Sequence, residues 1–237
     1  MTSIETEGWD KMFTQMWEGD VIPRFLDRVL IYGYSRTGKS TLIHNLTGSE
    51  RITFHEQMPL EDLIGGYQLI NGTTQWMDGP ATRALRLGKV LQIDELSDMP
   101  AECRTMVYAL MDKPAAITLP TGERVTAAKG FAVIATQNPA PDVLPHPIFD
   151  RLDVFIKADT VSEGIRKVLG PVLAEKAENV VSHGQPVYDW ERPVTINALL
   201  AYVQLKRAGI KIEDATYMLG FRGIQQTDFI TMAARSR

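Results

Sequence analysis

The sequence predicts an α/β fold: a parallel sheet alternating with helices, interrupted by two β-hairpins and followed by a small helical domain. Three observations carry that expectation. Short, continuously apolar runs recur between helical stretches from residue 27 onward, the pattern of strands buried on both faces. Two stretches, residues 65–72 and 116–127, have hairpin chemistry instead. After about residue 160 the strand-like runs stop.

The elements follow in order. Trp9, Met12, Phe13, Met16 and Trp17 fall at helical spacing, giving one apolar stripe; packing on the chain's own core is the favoured expectation, with a docking stripe for another chain second. Val29-Leu30-Ile31-Tyr32 reads as a buried strand ending at Gly33, and Thr41 to Leu46 continue as a helix. Ile52-Thr53-Phe54 is a short strand, and Lys89 to Ile93 another, ending at Asp94. Ala101 to Met111 is helical, Gly130 to Ala135 is a strand ending at Thr136, and Val154-Phe155-Ile156 is the last. The first hairpin turns at Asn71-Gly72 and the second at Thr121-Gly122. Ser162 to Ser182 and Thr195 to Ala208 are expected as helices, joined by a linker carrying Pro186 and Pro193. Residues 1–158 are thus expected to form an α/β domain, with residues 1–21 as an N-terminal amphipathic helix, and 159–237 a helical one.

Composition excludes several function classes. Of 237 residues, 25 are basic and 29 acidic, a net charge of −4, which argues against a surface built as a whole to grip nucleic acid but leaves a local groove open. The single cysteine, Cys103, makes neither an internal disulfide nor a multi-cysteine zinc site. His44, His55, His146 and His183 share no ligand spacing. No apolar run nears the roughly 20 residues of a membrane span, and the N-terminal residues lack the features of a signal peptide. A cytoplasmic chain is expected.

The strongest signal is Gly33-Tyr34-Ser35-Arg36-Thr37-Gly38-Lys39-Ser40, followed by Thr41. It fits G-x-x-x-x-G-K-[ST] between a strand and a helix, the context in which loop N–H groups cradle phosphates. Lys39 is expected on the β- and γ-phosphates and Ser40 on Mg²⁺. Val90-Leu91-Gln92-Ile93-Asp94-Glu95 places two carboxylates after a strand, Asp94 for the metal and Glu95 to polarise an attacking water. Asn138 follows another strand in Ala-Thr-Gln-Asn-Pro, at the end where α/β proteins bind ligands. It reads either as an amide orienting water with Glu95 or as an Asn-Pro turn. Arg151 stands between Asp150 and Asp153, as a surface ion pair or as an arginine finger for a neighbouring subunit's γ-phosphate.

In this order the motifs resemble the AAA+ ATPases: Walker A at 33–40, Walker B at 90–95, sensor 1 at Asn138, an arginine finger at Arg151 and a helical lid. Asp78-Gly79-Pro80-Ala81-Thr82-Arg83-Ala84-Leu85 and Ala135-Thr136-Gln137-Asn138-Pro139 resemble the MoxR group, the helix-2-insert clade with CbbQ-, NorQ- and GvpN-like members. The resemblance implies a P-loop NTPase sheet of five parallel strands with a helical lid, ATP and Mg²⁺ as cofactors, and a homo-oligomeric ring, usually a hexamer, with nucleotide at subunit interfaces. It further implies chaperone-like remodelling of a protein client, in some members one bearing a von Willebrand factor A domain or belonging to a metalloenzyme system. Tyr67 and Trp76, in the insert, are then either client contacts or hairpin anchors. Two departures stand out: Tyr34 and Arg36 replace the family's proline and glycine, and Asn197 occupies the place of the lid's sensor-2 arginine, for which Arg192 and Arg222 are the possible substitutes. Alternative readings are a nucleic-acid motor or GTP-using restriction-type subunit, and a nucleotide-gated scaffold with little steady hydrolysis.

Overall fold

The computed structural model describes residues 8–22, 24, 26–183, 194–221 and 223–235. These form two compact units, one of residues 11–33 and 39–157, the other of residues 8–10, 34–38 and those from 158 onward.

The first unit is built on five strands: β1 (Arg28–Gly33), β2 (Glu50–Thr53), β5 (Val90–Asp94), β8 (Ala132–Gln137) and β9 (Val154–Ala158). They lie in the order β2-β5-β8-β1-β9 as a parallel sheet. Leu30 pairs with Ala135, Leu91 with Val133 and Ile52 with Ile93. Every residue of β5 and β8 is buried, which is why these strands read as mostly apolar runs without an alternating polar face. Because β8 separates β5 from β1, the carboxyl ends of β1, β5 and β8 open side by side, where open α/β sheets place their ligands. Helices α2 (Lys39–Thr47), α4 (Pro80–Leu87) and α5 (Arg104–Met111) accompany the sheet. Leu85, Val107 and Leu110 join Leu30, Leu91, Ile93 and Val133 in one core. The expected helix from Ala101 begins instead as a single 3-10 turn, Ala101–Cys103, directly after Pro100. The five-residue α3 (Leu60–Ile64) and the eight-residue α4 were not expected: α3 is too short to display a helical apolar period, whereas α4 does carry one in Ala81, Ala84 and Leu85, all buried, which the sequence reading missed.

Both hairpins form. In the first, β3 (Gly65–Ile70) pairs antiparallel with β4 (Thr73–Asp78). Asn71 and Gly72 both take positive φ, 50° and 78°, as a two-residue turn of the I′ kind requires. At its base Gly65 has φ of 112°, and a Cβ there would strike the Met77 carbonyl. The second hairpin pairs β6 (Ala116–Thr118) with β7 (Arg124–Thr126). Arg86 of α4 joins the two insertions: it forks onto both oxygens of Glu123 at 2.6 and 2.7 Å and donates to Asp78 at 2.8 Å. Trp76 Nε1 donates to the other oxygen of Asp78, and its ring meets Tyr67 edge-on with centroids 5.4 Å apart. Trp76 is half-buried, whereas Tyr67 and Leu69 are exposed.

A buried arginine, Arg28, organises the sheet's opposite end. It donates to the carbonyls of Met111, Asp27 and Asp112. Burial lowers its pKa, and Asp27, Asp153 and Asp112 oppose that shift.

In the second unit, α7 (Glu163–His183) is broken at Gly170, with φ 72° and ψ 170°. The unbroken helix expected from Ser162 to Ser182 is therefore corrected to two segments. The following Pro171 supplies the reason, having no N–H to donate and disfavouring helical backbone in the residue before it. Helix α8 (Ile196–Arg207) starts at Thr195, whose hydroxyl accepts from the Ala198 N–H at 3.0 Å, an N-cap. Helices α9 (Ile212–Met218) and α10 (Gly223–Ala234) complete it. Leu173, Leu199, Tyr202, Phe221 and Phe229 form its core, with Tyr202 edge-on to Phe229 at 5.0 Å. Helix α1 (Trp9–Glu18) begins here: the Trp9 indole donates to the Thr160 carbonyl, and Asp10 accepts from the Glu163 N–H. Both Trp9 and Phe13 are buried. Pro186, Arg192, Pro193 and Arg222 lie outside the described residues.

Candidate active site

At the end of β1 the chain enters the glycine loop. Gly33, Arg36 and Gly38 take positive φ of 136°, 65° and 101°; for Arg36, a non-glycine residue, this is a conformation tolerated mainly where surrounding structure over-determines it. A Cβ on Gly38 would run into Ser162, so the second motif glycine is required on steric as well as conformational grounds. Thr37 is fully buried, its hydroxyl donating to the Tyr34 carbonyl at 3.1 Å. Tyr34 is half-buried, Ser35, Arg36 and Thr41 are exposed.

Lys39 opens α2 and is buried, 6% exposed. Its ammonium donates to the Gly33 carbonyl at 2.8 Å and to Asn138 Oδ1 at 3.3 Å. Burial pulls its pKa down to about 8, while the charges of Glu95 and Asp94 hold it up. A cation held in this way gains from a further anion beside it.

One residue on, the Ser40 hydroxyl donates to Asp94 Oδ1 at 2.6 Å. Asp94 ends β5 and is 3% exposed. The same oxygen accepts from the Thr136 hydroxyl of β8 at 2.8 Å. Gln92 Nε2 donates to both carboxylate oxygens at 3.2 and 3.1 Å and to the Ser40 carbonyl at 3.1 Å. On the outer side Arg51 Nε lies 2.5 Å from Asp94 Oδ2. Glu95 follows in the left-handed region, φ 56° and ψ 53°, a placement that costs on the order of 1–3 kcal/mol for a residue other than glycine and occurs here where β5 hands over to a 3-10 turn. Asn138, exposed beyond β8, donates its amide to Glu95 Oε1 and Oε2, each at 3.1 Å.

The structure thus brings together Lys39, Ser40, Asp94, Glu95 and Asn138. Arg151 stands apart from that cluster: it follows α6 (His146–Phe149), donates to Asp112 Oδ1 at 2.7 Å and the Pro147 carbonyl at 2.8 Å, and lies over the Tyr108 ring. Neither flanking aspartate is its partner. Asp150 pairs with His146, and Asp153 with Lys113 and the Arg28 N–H. Asn197 is exposed on α8.

Sequence reading missed Gln92, Thr136 and Arg51. Gln92 did carry a signal, as a polar residue inside an apolar strand; being fully buried, it must find partners. Arg51 carried none. Among the described residues, no group of three or more histidine, cysteine or carboxylate side chains could hold a metal ion. The hydroxyl of Ser40 and carboxylate of Asp94 are nevertheless the hard oxygen donors that Mg²⁺ takes in ones and twos alongside phosphate and water, so these residues fit a nucleotide-borne cation. Cys103 is buried, and burial, with Glu102, Asp62 and Glu61, pushes its thiol up to about 11, which leaves it inert. No described helix is long and apolar enough to cross a membrane.

The chain is similar to known proteins. Residues 28–152, more than half of the chain, match the family described as AAA domain (dynein-related subfamily). NorQ of Paracoccus denitrificans is 32% identical over 117 residues, covering 47% of this chain and 43% of that protein. CbbQ of Hydrogenophilus thermoluteolus is 30% identical over 133 residues, covering 51% and 50%. Midasin of Giardia intestinalis is 28% identical over 154 residues, 60% of this chain but 3% of midasin. The chain therefore spans half or less of the length of these curated relatives. Among solved structures, NtrX from Brucella abortus in complex with ATP superposes over 99% of this chain and 69% of its own with a TM-score of 0.53 at 13% identity, a likeness of fold alone. The resemblance to the MoxR group thus stands on similar proteins as well as on motifs, and the chain belongs to the AAA domain family, in its dynein-related subfamily.

Proposed function

We propose that this chain binds and hydrolyses ATP with Mg²⁺ as one subunit of a homo-oligomeric ring, a hexamer by family analogy, and uses the energy to remodel a protein client. The observation that carries the reading is the Asn138–Glu95 pair, placed beside Lys39, Ser40 and Asp94. The segment from Gly33 to Thr41, with Tyr34, Ser35, Arg36, Thr37 and Gly38 between, offers its backbone N–H groups to the phosphates. Lys39 gives up its bond to the Gly33 carbonyl and turns its ammonium to the β- and γ-phosphates. Ser40 and Asp94 hold the Mg²⁺, which supplies charge neutralisation on the phosphate oxygens. Glu95, aimed by Asn138, accepts the proton of the attacking water.

Arg151 is assigned to the neighbouring subunit's site. Its side chain is about one-third exposed, and its bonds are to Asp112 of a distant segment and to the Pro147 carbonyl of the helix just before it, neither of them in the Lys39–Asp94–Glu95 cluster. The helical residues 159–237 are assigned as a lid domain and residues 1–158 as the nucleotide-binding domain. The client is a protein, with a von Willebrand factor A domain or metalloenzyme system as the first candidates because NorQ and CbbQ are relatives, and the setting is cytoplasmic. ATP is favoured over GTP by family membership, which a competition experiment with both nucleotides decides.

A second reading, a nucleotide-gated scaffold with little steady hydrolysis, is favoured by one observation: the residue at the lid's arginine position is Asn197, a neutral amide. Comparing ATP binding with single-turnover hydrolysis for wild type and Glu95→Gln separates the two. Binding in both with hydrolysis only in wild type supports the ATPase; equal, negligible hydrolysis in both supports the scaffold.

A further inference from the structure

The carboxylate of Asp94 is saturated. Oδ1 accepts from Ser40 and Thr136, Oδ2 from Arg51, and Gln92 donates to both, four donor groups making five contacts on a carboxylate with about four lone-pair sites. A divalent cation held by Asp94 and Ser40, directly or through water, therefore has to displace a donor. Thr136 and Gln92 are buried with Asp94 in the sheet and cannot move away. Arg51 can: it stands on edge strand β2, opposite Gln92 in the β2–β5 register, and its side chain is 47% exposed against 4% for Asp94. It is also a cation, so its guanidinium and a divalent ion repel one another at a shared carboxylate.

We propose that Arg51 is an internal competitor for Asp94: a positioning residue that occupies Oδ2 in the free chain, is displaced as the Mg²⁺-nucleotide loads, and so sets the Mg²⁺ concentration at which loading occurs. The inference rests on the nucleotide-binding reading above. Arg51 has no other carboxylate among the ion pairs of the described residues, since neighbouring Glu50 is taken by Arg83 and Lys89. Removing its charge leaves Asp94 held by Ser40, Thr136 and Gln92, correctly placed and more available.

The test is binding rather than turnover. Affinity of the full chain for mant-ADP is measured by fluorescence while free Mg²⁺ is raised from micromolar to millimolar, for wild type, Arg51→Met and Arg51→Lys. Arg51→Met is expected to lower the half-saturating Mg²⁺ by about tenfold, the factor that one modest charge-assisted bond is worth, with Mg²⁺-free affinity unchanged to within about twofold. Arg51→Lys, which keeps a charge without the planar fork, is expected to fall between. An Arg51→Met midpoint equal to or above that of wild type overturns the proposal and makes Arg51 a residue that holds Asp94 in place. If Arg51→Met is unfolded by circular dichroism, Arg51→Gln takes its place with the same expected outcomes. Failure of wild type to bind mant-ADP at any Mg²⁺ concentration overturns the nucleotide reading itself, and this inference with it.

Discussion

Asn138 donates its side-chain amide to both carboxylate oxygens of Glu95 at 3.1 Å each, while its own oxygen accepts from Lys39 at 3.3 Å. One exposed amide at the end of β8 thereby joins the carboxylate that follows β5 to the lysine that follows β1. The sheet order makes this possible, since β8 lies between the other two strands.

Removing that amide tests its role. Asn138→Ala is expected to lower kcat by about 10²-fold, the scale of a misdirected general base, with a smaller change in nucleotide affinity. Asn138→Asp is expected to do worse, because a second carboxylate beside Glu95 repels it and favours its protonated form. Steady-state turnover and mant-nucleotide binding on the same preparations check both.

Glu95→Gln keeps the shape and one of the two contacts with the Asn138 amide but cannot take a proton. Turnover is expected to fall by about 10²–10⁴-fold with ATP still bound. The readout is the nucleotide retained after rapid desalting. Wild type should release ADP, and the variant should hold ATP.

Lys39 sets a pH dependence. Its pKa is about 8 in the free chain, and bound phosphates raise it by their charge. The complex then holds more protons than the free chain above pH 8, so affinity falls as pH rises through that value, by up to about tenfold per unit. Below about pH 7 this group contributes no slope. Affinity measured from about pH 7 to about 9.5, the window opened by that shift, should show the fall in wild type and none in Lys39→Ala.

The framework makes its own demand at Arg28. Truncation by Arg28→Met leaves the buried carbonyls of Met111 and Asp112 without their donor and removes the counter-charge from Asp27 and Asp153. A loss of about 2–4 kcal/mol is expected, read as a lower urea midpoint with unchanged m-value.

Local chemistry made much of this legible before any coordinates. The all-buried strands β5 and β8 announced a parallel sheet through mostly apolar runs with no alternating polar face, and Asn71-Gly72 and Thr121-Gly122 marked both hairpin turns. The glycine loop and the Asp94-Glu95 pair declared themselves because each is contiguous. What stayed hidden depends on long-range proximity or on short length. Arg51 meets Asp94 only through the β2–β5 register. Arg151 finds Asp112, 39 residues away, rather than either adjacent aspartate. Helix α3 is too short for a period, and the break at Gly170 is a local conformation inside an otherwise helical run.

The central claim is that Arg151 completes a neighbour's site, and the most direct measurement is ATP hydrolysis per protomer as protein concentration rises from nanomolar to tens of micromolar. A specific rate that climbs and then saturates is expected, with Arg151→Ala reduced by about 10³-fold or more at every concentration while still binding nucleotide. A measurable rate that stays flat with concentration, or Arg151→Ala turning over like wild type, would contradict it.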